Sequence, residues 1–237
     1  MRFLYLLPVL ALLLSLALKT SGIAADLSQD EAKRILEETK TIASYVGLTG
    51  EEDYEGKPEN VIRAALFGCY DAKAAFDAVQ GERKEAGKPP LPASTALFSV
   101  NGKAVTANNV LRRDDAPDKF KGVPDGFTCF VPRHAVELSA LHFTGHQIKK
   151  HVAPKGDELF GNVILNDKGY FVSIEGLGDA ATESVLKKVE PQGDGYVLTG
   201  DVVEVMEGGN PGTFRLVLAP GEAPGTWKRR YTEEGKK

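Results

Sequence analysis

A change of hydrophobic period limits this chain's folding options more than any other feature. From residue 159 on, apolar and polar residues alternate in runs that read as strands: Leu159 to Leu165, Gly169 to Glu175, Val185 to Val189, Tyr196 to Met206, Thr213 to Ala219 and Thr226 to Tyr231. Turns such as Asn166-Asp167-Lys168, PQGDG, EGGNPG and PGEAPG separate them. Connections this short join only antiparallel neighbours, because a parallel pair needs a crossover of a dozen or more residues. The expectation is an antiparallel meander.

The first third repeats every three or four residues instead. Ser28-Gln29-Asp30-Glu31 has the form of a capping box. Ala32, Ile35, Leu36, Thr39, Ile42, Ala43 and Val46 then make one stripe, opposed by Lys33, Arg34, Glu37, Glu38 and Lys40, until Gly47. The acidic stretch TGEEDYEGK at 49–57 lacks the alternating ligands and closing glutamate of a calcium loop, so it reads as a solvated turn before a helix. Pro58 opens that helix, with Val61, Ile62, Ala65, Leu66, Cys69, Ala72, Phe76 and Val79 on its apolar side.

Gln80 to Ser94, with three prolines in four positions, reads as a linker. Ala96 to Val100 and Lys103 to Thr106 flank Asn101-Gly102, a strong hairpin signal, and 107–126 reads as loop. Phe127 to Val131 then suits a strand that Pro132 ends. Ala135, Leu138, Leu141 and His142 form a helical stripe stopped by Gly145, and Gln147 to Val152 is expected to leave as a strand. Helices first and a meander last is the α+β pattern, with N-terminal helices packed on one curved antiparallel sheet. The expected organisation is a signal peptide at 1–25, a helical pair at 26–80, a linker at 81–94, a sheet domain at 95–231 and a tail at 232–237.

The segments DGYVLTGDVVEV, TFRLVL and GTWKRRY, preceded by a helix ending LHFTGHQIKKH, resemble the cystatin-like cone of nuclear-transport-factor-two-like domains, including exported bacterial ones. The resemblance covers residues 127 to 231 and rests on pattern. It implies a cone-shaped pocket, in which the family's steroid isomerases and dehydratases place an acid, a tyrosine or a histidine. No functional residue transfers to this chain by motif.

The chain opens with Arg2, an apolar run from Phe3 to Leu18 and small residues at Gly22, Ala24 and Ala25, the layout of a secretory signal peptide cleaved after Ala24 or Ala25. The expected location is therefore periplasmic or extracellular, with no membrane span after cleavage. The full chain carries a formal charge of −4, and losing Arg2 and Lys19 takes this to −6, which argues against a nucleic-acid partner. A small ligand or a protein partner is expected instead.

Two cysteines, Cys69 and Cys129, are an even count for an oxidising compartment and suggest one disulfide. Two separately buried thiols are the alternative. All four histidines fall between residues 134 and 151. His134, Glu137, His142 and His146 are a candidate metal set, with His151 close by, although Gly145 interrupts the helix and the HExxH spacing is missing. The competing expectation is that these side chains are structural or solvated, with no cofactor. No GxSxG is present, EGLGD at 175–179 lacks the lysine of a phosphate loop, and Tyr70-Asp71 is at most an acid pair with Asp71 facing water. Tyr70, Tyr170 and Trp227 are candidates for a pocket or partner surface, and Trp227 could equally anchor the sheet. Lys228, Arg229, Arg230, Lys236 and Lys237 read as a charged edge strand and tail. No catalytic signature emerges, so the expected function is an exported, non-enzymatic binding or accessory module, with a small-molecule enzyme using a cone-shaped pocket, or a metal-binding protein using the histidine cluster, as the alternatives.

Overall fold

The computed structural model describes residues 27–156, 161–173, 182–204 and 212–235. The expected signal peptide, the EGLGD segment, most of EGGNPG and the two terminal lysines lie outside the described residues.

Helix α1 (Gln29–Val46) begins where Ser28 Oγ accepts the Glu31 N–H and ends at Gly47 in the left-handed conformation. A single turn, α2 (Glu51–Tyr54), leads to the long α3 (Pro58–Glu85), which runs five residues past the expected boundary. A hairpin of β1 (Ala96–Val100) and β2 (Lys103–Thr106) turns at Asn101 and Gly102, both with positive φ as a tight two-residue hairpin requires. Strands β3 (Leu111–Arg112) and β4 (Cys129–Pro132) follow, then α4 (Arg133–Thr144), which Gly145 closes. Residues 147–152 form no strand. Strands β5 (Val163–Leu165) and β6 (Gly169–Val172) precede the meander of β7 (Thr182–Gln192), β8 (Gly195–Glu204), β9 (Gly212–Pro220) and β10 (Trp227–Glu234).

The single curved sheet of a cone is not what forms. The meander is one open four-stranded antiparallel sheet in the order β10-β9-β8-β7, and a second open four-stranded sheet has the order β3-β4-β6-β5. Neither closes or curls into a cone, so the protein is α+β with separate antiparallel sheets. The reason lies in β4 and β6. Cys129, Val131, Tyr170 and Val172 face the helices, while Phe130 and Phe171 face the other way onto Phe120 and Phe127. A strand buried on both faces leaves no bare side for helices alone to cover, and the loop 113–128 supplies the second cover. Arg113 ties that loop down, its Nε donating to Phe127 O at 2.7 Å while its guanidinium stacks over Phe120.

Three clusters of buried residues result, and α1 serves the two larger ones. Ala32, Ile35 and Leu36 pack on Tyr196, Leu198, Leu216 and Tyr231 of the meander, whereas Ile42 and Val46 pack with α3, α4 and the second sheet.

The expected disulfide does not form. Cys69 and Cys129 are free thiols, both buried in the helical core. Helix α3 aims Cys69 at α4, where its Sγ lies 3.9 Å from the Ala135 carbonyl, while Cys129 sits in the sheet opposite Val172. Burial pushes both thiols up to about 12. Among the described residues no helix is long and apolar enough to cross a membrane.

Candidate functional site

Strand alternation in β10 puts Trp227, Arg229 and Tyr231 on one face, and that face meets α1. Arg229 is thereby driven into the interior, 5% exposed. A buried guanidinium needs a counter-charge. Glu38 provides it from the middle of α1, with Oε2 at 3.0 Å from Arg229 Nη2. The same Nη2 donates to the His142 carbonyl near the end of α4 at 2.6 Å, and Nη1 donates to Thr39 Oγ1 at 3.3 Å. One side chain therefore joins α1, α4 and the meander.

Glu38 has further partners. Arg34, one turn earlier on α1, donates to its Oε1 at 2.7 Å, and His142 Nε2 lies 3.1 Å from the same oxygen. Arg34 Nη1 is also 3.1 Å from His142 Nε2. Burial alone would raise the Glu38 carboxyl, but Arg229, then His142 and Arg34, outweigh it and hold the group at about 2. Burial lowers His142 against the opposing pull of Glu38, which favours the neutral ring. Its Nε2 can then donate to Glu38 or accept from Arg34, not both. Phe98 stacks on the ring with centroids 4.8 Å apart.

Above this cluster is a cleft of about 200 Å³, walled by Arg34, Ser99, Asn101, His142 and Trp227, with Arg229 beneath. The β1–β2 turn brings Ser99 and Asn101, and the β9–β10 turn brings Pro224 to Thr226. Arg229 Nε has no partner among the described residues. Arg34 is about half exposed, with its side chain at 48%, so it can engage both Glu38 and a guest. A carboxylate held at about 2 and already met by three cationic or imidazole neighbours neither donates nor readily accepts a proton near neutrality. The cluster is suited to positioning charge.

The histidines do not converge. His134 is exposed beside Asn109 at 3.3 Å, His142 belongs to the Glu38 cluster, and His146 Nδ1 faces Glu222 Oε1 at 3.4 Å. His151 bridges Tyr170 Oη at 2.7 Å and Glu137 Oε1 at 2.9 Å. Each of the four partners a different element, and among the described residues no three His, Cys, Asp or Glu side chains are grouped to hold a metal ion.

The other candidates separate as well. Trp227 lines the cleft and also meets Tyr196 edge-on at 5.7 Å, so it both anchors the sheet and borders the site. Tyr170 is fully buried and its hydroxyl is committed to His151, which makes it a structural link. Tyr70 packs at the edge of the helical core under the Arg112 guanidinium, and Asp71 is half-buried with its carboxyl pushed up by burial. Sequence reasoning missed Arg34, Glu38 and Arg229, assigning all three to solvated surfaces. The available signal was the alternation of Trp227, Arg229 and Tyr231, which places an arginine among core aromatics. Comparison with protein-family models, with curated proteins and with solved structures gives no match to this chain.

Proposed function

We propose that this protein is an exported, non-enzymatic binding module that takes a small carboxylate-bearing molecule in the cleft between α1, α4, the β1–β2 turn and β10. The observation that carries this reading is the division of labour between two arginines. Both terminal nitrogens of the buried Arg229 are committed to Glu38, Thr39 and the His142 carbonyl, whereas Arg34 stands half exposed at the cleft with donors to spare. A guanidinium presents five N–H groups in a planar fork that matches a carboxylate. Ser99 and Asn101 add hydrogen-bonding groups, and Trp227 adds an apolar platform. An enzyme in the same cleft would need a free acid or base able to change charge near neutrality; Glu38 is held far from that range, and the His142 imidazole is committed to Glu38 and stacked on Phe98.

Trp227 is the only tryptophan in the chain and borders this cleft, so its fluorescence can be followed without interference from another tryptophan. Titration with acetate, succinate, citrate and N-acetylglutamate should give a saturable change for at least one of them. Arg34→Gln should weaken it by about tenfold or more, the loss of a charged hydrogen bond. A panel with no saturable response, or binding indifferent to Arg34→Gln, would overturn the reading. Export is tested separately: chain secreted with its own leader should begin at Ala25 or Asp26, and an intact leader on the exported protein would refute it.

A further inference from the structure

We propose that a second cleft, where the start of α3 meets the turn after α4, binds a doubly charged oxyanion of the sulfate or phosphate class. Its volume is about 280 Å³, and Lys57, Lys149, Lys150 and Lys228 line it together with His146 and Glu222. The floor is the beginning of a 28-residue helix, whose aligned peptide dipoles favour negative charge at that end.

The independent observation is His146. Its side chain is 9% exposed, and Nε2 has no hydrogen-bond partner among the described residues. A buried polar nitrogen left unmet is costly unless a guest or a proton satisfies it. With Nδ1 turned to Glu222, protonation would place a hydrogen on Nε2, and an oxyanion oxygen would accept it. The surrounding charges allow this. Glu51 is tied to Lys228 at 3.0 Å, and Glu222 is engaged by the Gln147 N–H at 3.1 Å as well as by His146. Lys57 reaches the Glu52 carbonyl and no carboxylate, and Glu55 stands at the rim beside the buried Tyr54 ring. Lys149 and Lys150 are exposed and have no ion-pair partner among the described residues. Four lysines against Glu51, Glu55 and Glu222 leave one cation in excess for a guest, and a proton on His146 makes two.

Burial and the neighbouring Lys228 lower His146 against Glu222 and Glu51, which favours the neutral ring. An anion beside Nε2 works in the opposite direction, so binding should take up a proton and tighten as pH falls. Sulfate is the cleaner probe, since it keeps its double charge throughout this range whereas a phosphate ester changes charge near pH 6.

At constant ionic strength, calorimetric titration with sulfate should be saturable and about tenfold tighter near pH 5.5 than near pH 8, the gain expected if the bound anion raises the proton affinity of His146 about tenfold. The His146 imidazole resonances should move with the titration. Lys149→Glu with Lys150→Glu, both at exposed positions, should abolish binding with the circular dichroism unchanged. His146→Gln should leave weaker binding that no longer depends on pH. Absence of saturable binding near pH 5.5 overturns the proposal, as does binding that survives the double charge reversal, or a pH dependence that His146→Gln leaves intact. Glycerol phosphate separates the sources: tighter binding than sulfate assigns the cleft to an esterified group, weaker binding to the free ion.

Discussion

Replacing Glu38 with glutamine tests the centre of the molecule with almost no change in shape. A carboxyl held at about 2 in the folded chain against an ordinary 4.5 corresponds to roughly 3 kcal/mol of stability at about 1.4 kcal/mol per tenfold. The group is mostly buried, its side chain 18% exposed, so solvent screening removes little of this. Because the folded value is depressed, the contribution is fully present above the ordinary value of 4.5 and disappears as pH falls from there towards 2. Urea unfolding followed by circular dichroism at pH 7 should show Glu38→Gln with a midpoint lower by about 1.5 M, taking a slope near 2 kcal/mol per molar. Glu37→Gln, the exposed neighbour, should change stability by less than about 0.5 kcal/mol. The gap between Glu38→Gln and the parent should narrow steadily below pH 4.5. A loss under about 1 kcal/mol at pH 7, or a gap that stays constant with pH, would refute the account of Arg229 and Glu38 as a coupled buried pair.

Two further outcomes check the backbone and the cysteines. Gly145→Ala should cost at least about 2 kcal/mol, since φ is +72° and an added Cβ would lie 2.5 Å from the Lys228 nitrogen and the Trp227 carbonyl carbon. Gly47→Ala, with similar φ and nothing within 4 Å, should cost only about 1 kcal/mol in the same unfolding experiment, and equal losses would refute the steric argument. Alkylation without reductant should label both Cys69 and Cys129 in unfolded protein and neither in native protein at pH 8, because both thiols are buried and held at about 12. Intact mass reads this directly, and fewer than two labels on the unfolded chain would refute it.

Local signals carried much of this fold in the sequence. The Ser28 cap, the stripe from Ala32 to Val46, the Asn101-Gly102 turn and the stop at Gly145 all depend on neighbours within a few residues, and all are present. The division into two sheets was less visible because it depends on pairing across long stretches of chain. Its trace was the unbroken apolar character of Cys129-Phe130-Val131 and Tyr170-Phe171-Val172, which marks strands covered on both sides. The candidate site was the least legible. Arg34 and Glu38 read as solvated because a helix face is exposed until something packs on it, and the strand that does so is roughly 190 residues further on. Trp227 was marked beforehand, whereas the divergence of the histidines could be seen only once α4 and the turn after it had directions.

Helix α1 gives Ala32, Ile35, Leu36 and Ala43 to the meander core and Ile42 and Val46 to the helical core, so its two contacts overlap along one rod. Neither half can be lifted away without pulling the same rod out of both, so heat or denaturant should melt the molecule in one step despite its divided interior. A guest lodged beside Arg34 would press on that shared rod, and its hold should register as slower amide exchange in both sheets at once.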